Sequence, residues 1–160
     1  MTPGRRKLAF RRLEEIMPDV ERLLVGHFTV GRWTLGQICD HLAASFRYSV
    51  EGFPDPPAPW ILRVTLGSLA RRSMLRGGPI PERMPLPARY RPGPGLDAVA
   101  EAERLREAIT LFSACAAPAA HPLVGPMSAD EWTVYHCTHC AHHLSFAVPE
   151  AGAAGSWKRE

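Results

Sequence analysis

Between Ser128 and Val148 the chain reads SADEWTVYHCTHCAHHLSFAV. Ser128 and Glu131 stand three residues apart ahead of an apolar-periodic run, the pattern of a capping box that opens a helix. No proline follows until Pro149, so the stretch predicts one helix reaching to about Val148. Positions 136–143, HCTHCAHH, then lie well inside that helix. Residues four apart share nearly the same helical face, so the imidazoles of His139 and His143 can converge on one metal ion. Trp132, His136 and Phe146 fall on the same side. Cys137 points the other way with Leu144 and Val148, and Cys140 lies between the two faces. A redox-active Cys-x-x-Cys is normally placed at a helix N-terminus, where the dipole lowers the thiol pKa. Cys137 and Cys140 lie more than two turns inside, so they read as core filling.

The rest of the chain has the same helical grammar. Thr34 and Gln37 form a second capping box, opening a helix to about Gly52 with Leu35, Ile38, Leu42, Phe46 and Val50 on its apolar face. Residues 10–25 carry Leu13, Ile16, Val20, Leu23 and Leu24 at helical spacing, with Pro18 placed to kink the helix. Residues 96–116 form another helix, with Val99, Ala102, Leu105, Ile109 and Phe112 on one side. GFPDPPAPW (52–60) is a loop, and residues 60–75 form a shorter helix ended by Gly77 and Gly78. The Pro- and Gly-rich stretch 79–95 cannot hold regular structure, and a loop of that length in a small domain often serves as a lid or mouth. No β-alternation and no internal repeat is visible. The expected fold is all-α: a four-helix bundle with an extra short helix and a Pro/Gly-rich loop in the middle. It forms a single domain over residues 1–149, followed by a flexible tail at 150–160.

Composition narrows the function classes. A chain of 160 residues suits one core. No apolar run reaches the roughly 18 residues that span a bilayer, and MTPGRRKLAF lacks the apolar core of a secretory signal. A cytoplasmic location without a membrane partner is the expectation. Four cysteines are too few for a disulfide scaffold in a chain that can build its own core, so reduced thiols are expected. The net charge of +3 comes from two arginine-rich stretches. Arg5, Arg6, Lys7, Arg11 and Arg12 open the chain. Arg63, Arg71, Arg72, Arg76, Arg83, Arg89 and Arg91 follow, with Glu82 the only acid among them. No nucleic-acid motif accompanies these residues, so they read as solvated faces and no nucleic acid is expected as a partner.

Two histidines do not complete a catalytic metal centre, which needs three protein ligands and an open position. His41 is the third candidate, in mid-helix at the edge of the apolar stripe. By itself it reads as readily as a satisfied core residue.

Four motifs together resemble a known family. They are W-x-L-G-Q-I-x-x-H-L (Trp33 to Leu42), G-F-P (Gly52 to Pro54), H-P-L-x-G (His121 to Gly125) and E-W-x-x-x-H-x-x-H-x-x-H-H-L-x-F (Glu131 to Phe146). In order and spacing they resemble the DUF1569 group of the DinB/YfiT-like superfamily over roughly residues 5–149. The resemblance implies a four-helix bundle with a divalent metal ion, most often zinc or nickel, held by His41, His139 and His143, with His136 as the alternative ligand. His142 projects about 60° from His139 round the helix, which suits a supporting or surface role, and His121 matches the family pattern without a chemical role. Relatives in the wider superfamily are thiol-dependent transferases and isomerases that use bacillithiol, mycothiol or glutathione. The expected activity is therefore metal-dependent transfer of a small thiol to an electrophile, with Arg63 or Arg71 binding the thiol's carboxylates. The alternatives are a non-catalytic metal-binding stress or interaction protein, dimeric through an uncovered apolar face, and a metal-dependent hydrolase. The hydrolase lacks a clear general base, because Asp40 points about 100° away from His41 round the helix. A glutamine common near the end of the last helix in the superfamily is replaced here by the run Leu144, Ser145, Phe146.

Overall fold

The computed structural model describes residues 4–78, 80 and 87–150. They are mostly helical, with five helices and one two-stranded sheet. Helix α1 is Ile16–Val25, entered through a 3-10 turn at Leu13–Glu15. It begins later than the apolar stripe suggests. Pro18 lacks an N–H and is tolerated in the opening turn of a helix but not in its interior, so it lies near the start of α1 and kinks nothing. The Glu15 carboxylate accepts the Arg11 N–H at 2.7 Å ahead of that turn.

Helix α2, Leu35–Glu51, opens with the expected box. Thr34 Oγ1 accepts the Gln37 N–H at 3.3 Å, and Gln37 Oε1 accepts the Thr34 N–H at 3.0 Å. It ends at Gly52, whose φ of 99° favours glycine. Helix α3 runs through Trp60–Leu62, a wider π segment Arg63–Gly67, and Ser68–Leu75. Helix α4 is Ala98–Ser113, with Asp97 as its cap. Helix α5 is Ala129–Leu144, opened by the Ser128–Glu131 box.

The stretch 79–95 is not wholly irregular, since Ala88–Tyr90 forms a short 3-10 turn. Residues 79 and 81–86 of that stretch, and 151–160 of the expected tail, lie outside the described residues.

The sequence pattern carries α5 to about Val148, but the helix stops at Leu144. Ala147–Pro149 forms strand β2 antiparallel to β1, His27–Thr29, with Phe28 opposite Val148. Strands of three residues are too short to show alternation. The last carbonyls of α5 lack helical partners and receive donors from the N-terminal segment instead. Arg5 Nη2 donates to the His142 carbonyl at 3.0 Å, Arg6 Nη2 to Leu144 at 2.9 Å, and the Arg6 N–H to Ser145 at 2.9 Å. Arg6 also makes a bidentate pair with the buried Asp19 of α1, at 2.9 and 2.7 Å. These two arginines are therefore not part of a solvated face. They place positive charge on the negative end of α5 and tie it to α1.

The core is made by α1, α2, α4 and α5, with Val20, Leu42, Phe46, Leu105, Trp132 and Leu144 buried at its centre. The most extensive helix pairing is α2 against α4. Gly36 permits the close approach there, since a Cβ at that position would sit 2.5 Å from the Leu96 carbonyl oxygen. Helix α3 buries Gly67 alone. Cys39, Cys137 and Cys140 are free and buried, and burial pushes the Cys137 thiol up to about 11. Such a thiol is a poor nucleophile at neutral pH.

Replacing Arg6 by alanine should lower stability in urea titration. Loss of a buried partner costs roughly 3–5 kcal/mol, and the result should fall toward the lower value because Arg22 retains a 2.5 Å contact to Asp19. A loss below about 1 kcal/mol, the worth of an exposed pair, would show that the N-terminal segment is not anchored in this way.

Candidate metal centre

His41 projects from the second turn of α2, and His139 and His143 from the C-terminal half of α5. One ligand atom from each lies within 4.8 Å of those of the other two. His41 Nε2 and His139 Nε2 are 3.2 Å apart. Two imidazole nitrogens bound to one tetrahedral zinc at about 2.0–2.1 Å are themselves about 3.3 Å apart, so this spacing suits a shared ion.

Hydrogen bonding fixes the proton on His41. Its Nδ1 lies 3.1 Å from the Tyr90 carbonyl, which can only accept, so Nδ1 donates and Nε2 presents a lone pair. The Tyr90 hydroxyl donates in turn to Asp55, and Asp55 pairs with Arg89 at 2.5 Å. The loops on either side of α3 are thus clasped beside the site. Gln37 Nε2 adds a bond to the Gly93 carbonyl at 2.9 Å. The described part of the Pro/Gly-rich stretch therefore contributes an orienting backbone carbonyl.

All three imidazoles are disposed to be neutral. Burial lowers the pKa of His41, and it lowers those of His139 and His143 well below the ordinary value, with mutual repulsion adding to the latter two. Neutral imidazole is the form that ligates a metal. A cluster of buried imidazoles is costly unless the nitrogens that meet find a proton donor or a cation. The donor set, its spacing and its protonation all fit a divalent cation. Trp33 walls one side, stacked on His143 at 5.3 Å between ring centres and 5.0 Å from His41. Tyr135 lies 5.4 Å from His139 on another side.

The other histidines have separate employment. His136 is fully buried, stacked on Phe46 at 3.8 Å, and its Nε2 lies 3.0 Å from Ser49 Oγ. Ser49 gives its own proton to the Phe46 carbonyl, so His136 Nε2 is the donor. His136 is therefore placed in the aromatic core rather than with the trio. His142 Nδ1 accepts from Arg5 Nη2 at 3.1 Å, and His27 Nδ1 donates to the Leu23 carbonyl at 2.8 Å. Arg71 is held by Glu131 at 2.5 and 2.6 Å, so it is engaged within the fold. Arg63 packs beside Gly125 with its Nε buried and unpartnered.

His121 matches a motif but had no role from sequence, and the fold supplies one. Its Nδ1 accepts the N–H groups of both Leu123 and Val124 at 3.1 Å, closing the HPLVG loop, while its ring packs on Phe53, Trp132 and Tyr135. The proline that follows it marks a turn but does not specify a side chain that accepts from the backbone. The role of Tyr90 was equally hidden, because a backbone carbonyl carries no residue signature.

Burial lowers the His121 pKa to about 4. Its folded value is below its unfolded one, so its contribution to stability is complete above pH 6.5 and lost as pH falls from there toward 4. At about 1.4 kcal/mol per unit, the loss should approach ~3.5 kcal/mol. His121→Asn should flatten that part of a stability–pH profile from denaturant melts, and an unchanged profile would contradict the assignment.

Comparison with known proteins adds one finding to this geometry. No curated protein and no solved structure matches the chain. A family model described as "Protein of unknown function (DUF1569)" matches residues 3–150, which include both capped helices and all three clustered histidines. The chain belongs to the DUF1569 family.

Proposed function

We propose that this protein is a four-helix bundle of the DinB/YfiT-like kind that holds a divalent ion, zinc or nickel, on His41, His139 and His143 and transfers a small thiol to an electrophile. The observation that carries the reading is the meeting of three neutral nitrogen donors from two helices, one of them locked in its ligating tautomer by Tyr90. A site with three protein ligands leaves a position for an exogenous one. A divalent ion there supplies Lewis acidity that brings the pKa of a bound thiol or water toward neutrality. The chain's own residues do the remaining work. Tyr90, pinned by Asp55, holds the His41 ring in place. Trp33, which packs on His41 and His143, offers aromatic surface against which an apolar electrophile can rest. Burial lowers the His41 pKa, the Asp40 charge only partly offsets this, and Asp40 makes no hydrogen bond to the ring among the described residues, so hydrolysis through a carboxylate base has less support.

A non-catalytic metal-binding protein is the second reading, and one observation favours it. His41 and His139 are only 9% and 8% exposed, which leaves little of either ring open to a substrate.

Elemental analysis of the purified protein should give close to one divalent ion per chain, and His139→Ala and His143→Ala should remove it. Unchanged stoichiometry in both variants would eliminate the site. Turnover of chlorodinitrobenzene with bacillithiol, mycothiol or glutathione, abolished by chelation, would support the transferase. Metal binding without turnover with any thiol would favour the second reading. Tyr90→Phe keeps the carbonyl but releases its anchor on Asp55, and should weaken metal affinity about 10-fold with helicity unchanged by circular dichroism.

A further inference from the structure

Helix α3 presents its apolar residues outward. Trp60 is 70% exposed, Ile61 57%, Val64 56% and Leu69 66%, whereas the helix buries only Gly67. Gly67 is a close seat, since a Cβ there would lie 2.3 Å from the Leu123 carbonyl oxygen. The helix therefore rests on the body of the protein through a small residue and through the Arg71–Glu131 pair. Ile61, Thr65, Leu69, Arg72 and Arg76 follow at spacings of three and four, so one exposed stripe is apolar in its first half and basic in its second. Residues 60–78 contain no aspartate or glutamate. Arg72 and Arg76 are exposed and have no ion-pair partner among the described residues.

We propose that α3 docks the protein on an anionic lipid surface, with Trp60, Ile61, Val64 and Leu69 entering the headgroup–acyl boundary and Arg72 and Arg76 meeting lipid phosphates. An exposed apolar patch of this kind marks an interaction site, and charge selects the partner. A second copy packed parallel on this helix sets Arg72 and Arg76 against their own equivalents, and one packed antiparallel sets them against the apolar half, so in neither case does the helix offer them an acid. A lipid surface offers apolar depth and phosphate charge side by side, which is the environment of an interfacial helix with aromatic and aliphatic residues on one part and arginines on another. No helix among the described residues is long and apolar enough to cross a membrane, and an interfacial helix does not need to be.

The test is co-sedimentation of the full-length protein with vesicles of phosphatidylcholine alone and of phosphatidylcholine with 30 mol% phosphatidylglycerol. Binding should require phosphatidylglycerol and weaken in 0.5 M salt. Arg72→Glu with Arg76→Glu should weaken it at least ~30-fold, from the loss of two surface cations. Ile61→Ser with Leu69→Ser should weaken it as well at low salt, with an unchanged thermal melt showing that the variant is folded. Binding to neither vesicle, or binding that ignores the Ile61/Leu69 change, overturns the proposal. So does a two-chain species in gel filtration that the same apolar variant converts to one chain, which assigns the face to a second copy.

Discussion

An imidazole buried without charge keeps one proton and one lone pair, and each must face something different. The chain has seven histidines, and this demand organises much of its interior. Wherever a partner is a carbonyl or a backbone N–H, the proton position follows. His41 donates through Nδ1 to Tyr90, His136 through Nε2 to Ser49, and His121 accepts twice at Nδ1. His41 and His136 are held by segments remote in sequence and His121 by its own loop, so the loops are fixed by the same bonds that fix the rings. His136 and His139 each keep a buried Nδ1 with no hydrogen-bond partner among the described residues. The Nε2 atoms of His41 and His139 face each other at 3.2 Å, and a cation held there would take a lone pair from each.

Bringing the trio together depends on where two helices begin. The boxes at Thr34–Gln37 and Ser128–Glu131 set the start of α2 and of α5, and from a fixed start the rotation of each side chain follows at about 100° per residue. A shift of one residue in either start would turn the imidazoles away from one another. The far end of α5 is fixed by Arg5 and Arg6. Trp132 anchors the helix between these ends, fully buried with its indole N–H bonded to the Ala119 carbonyl at 3.2 Å. The half of α5 that carries the clustered histidines thus lies between an anchored first turn and a capped terminus.

Those helix starts were legible in the sequence because a capping box is a local signal, and the His139–His143 pair was legible because helical spacing is also local. His41 could be singled out only as a candidate until the motifs were considered together, since its meeting with α5 is a tertiary fact. What was hidden has a common cause. The early end of α5 is set by Arg5 and Arg6, about 140 residues away in the chain. The start of α1 was misread because the apolar stripe continues upstream through Leu8 and Phe10, which pack on the core from an extended segment. Arginine-rich runs carry no information on which cations find acids, so Arg6, Arg71 and Arg89 could not be told from Arg72 and Arg76.

Glu131 links two regions that the sequence keeps apart. Its carboxylate accepts the Ser128 N–H at 2.9 Å to close the cap of α5, and it holds Arg71 of α3 at 2.5 Å. Arg71 lowers the Glu131 pKa more than the cap does, so the group stays ionised and serves both partners through ordinary pH. A cap alone is worth about 1 kcal/mol, and an exposed pair less than that. Joined on one carboxylate, they fix the start of α5 and the seat of α3 with the same atoms. His139 follows Glu131 by eight residues, a rise of about 12 Å. The helix that buries almost nothing is therefore fastened to the root of the helix that carries two of the three clustered histidines, which explains how so exposed a segment keeps a defined position on the protein.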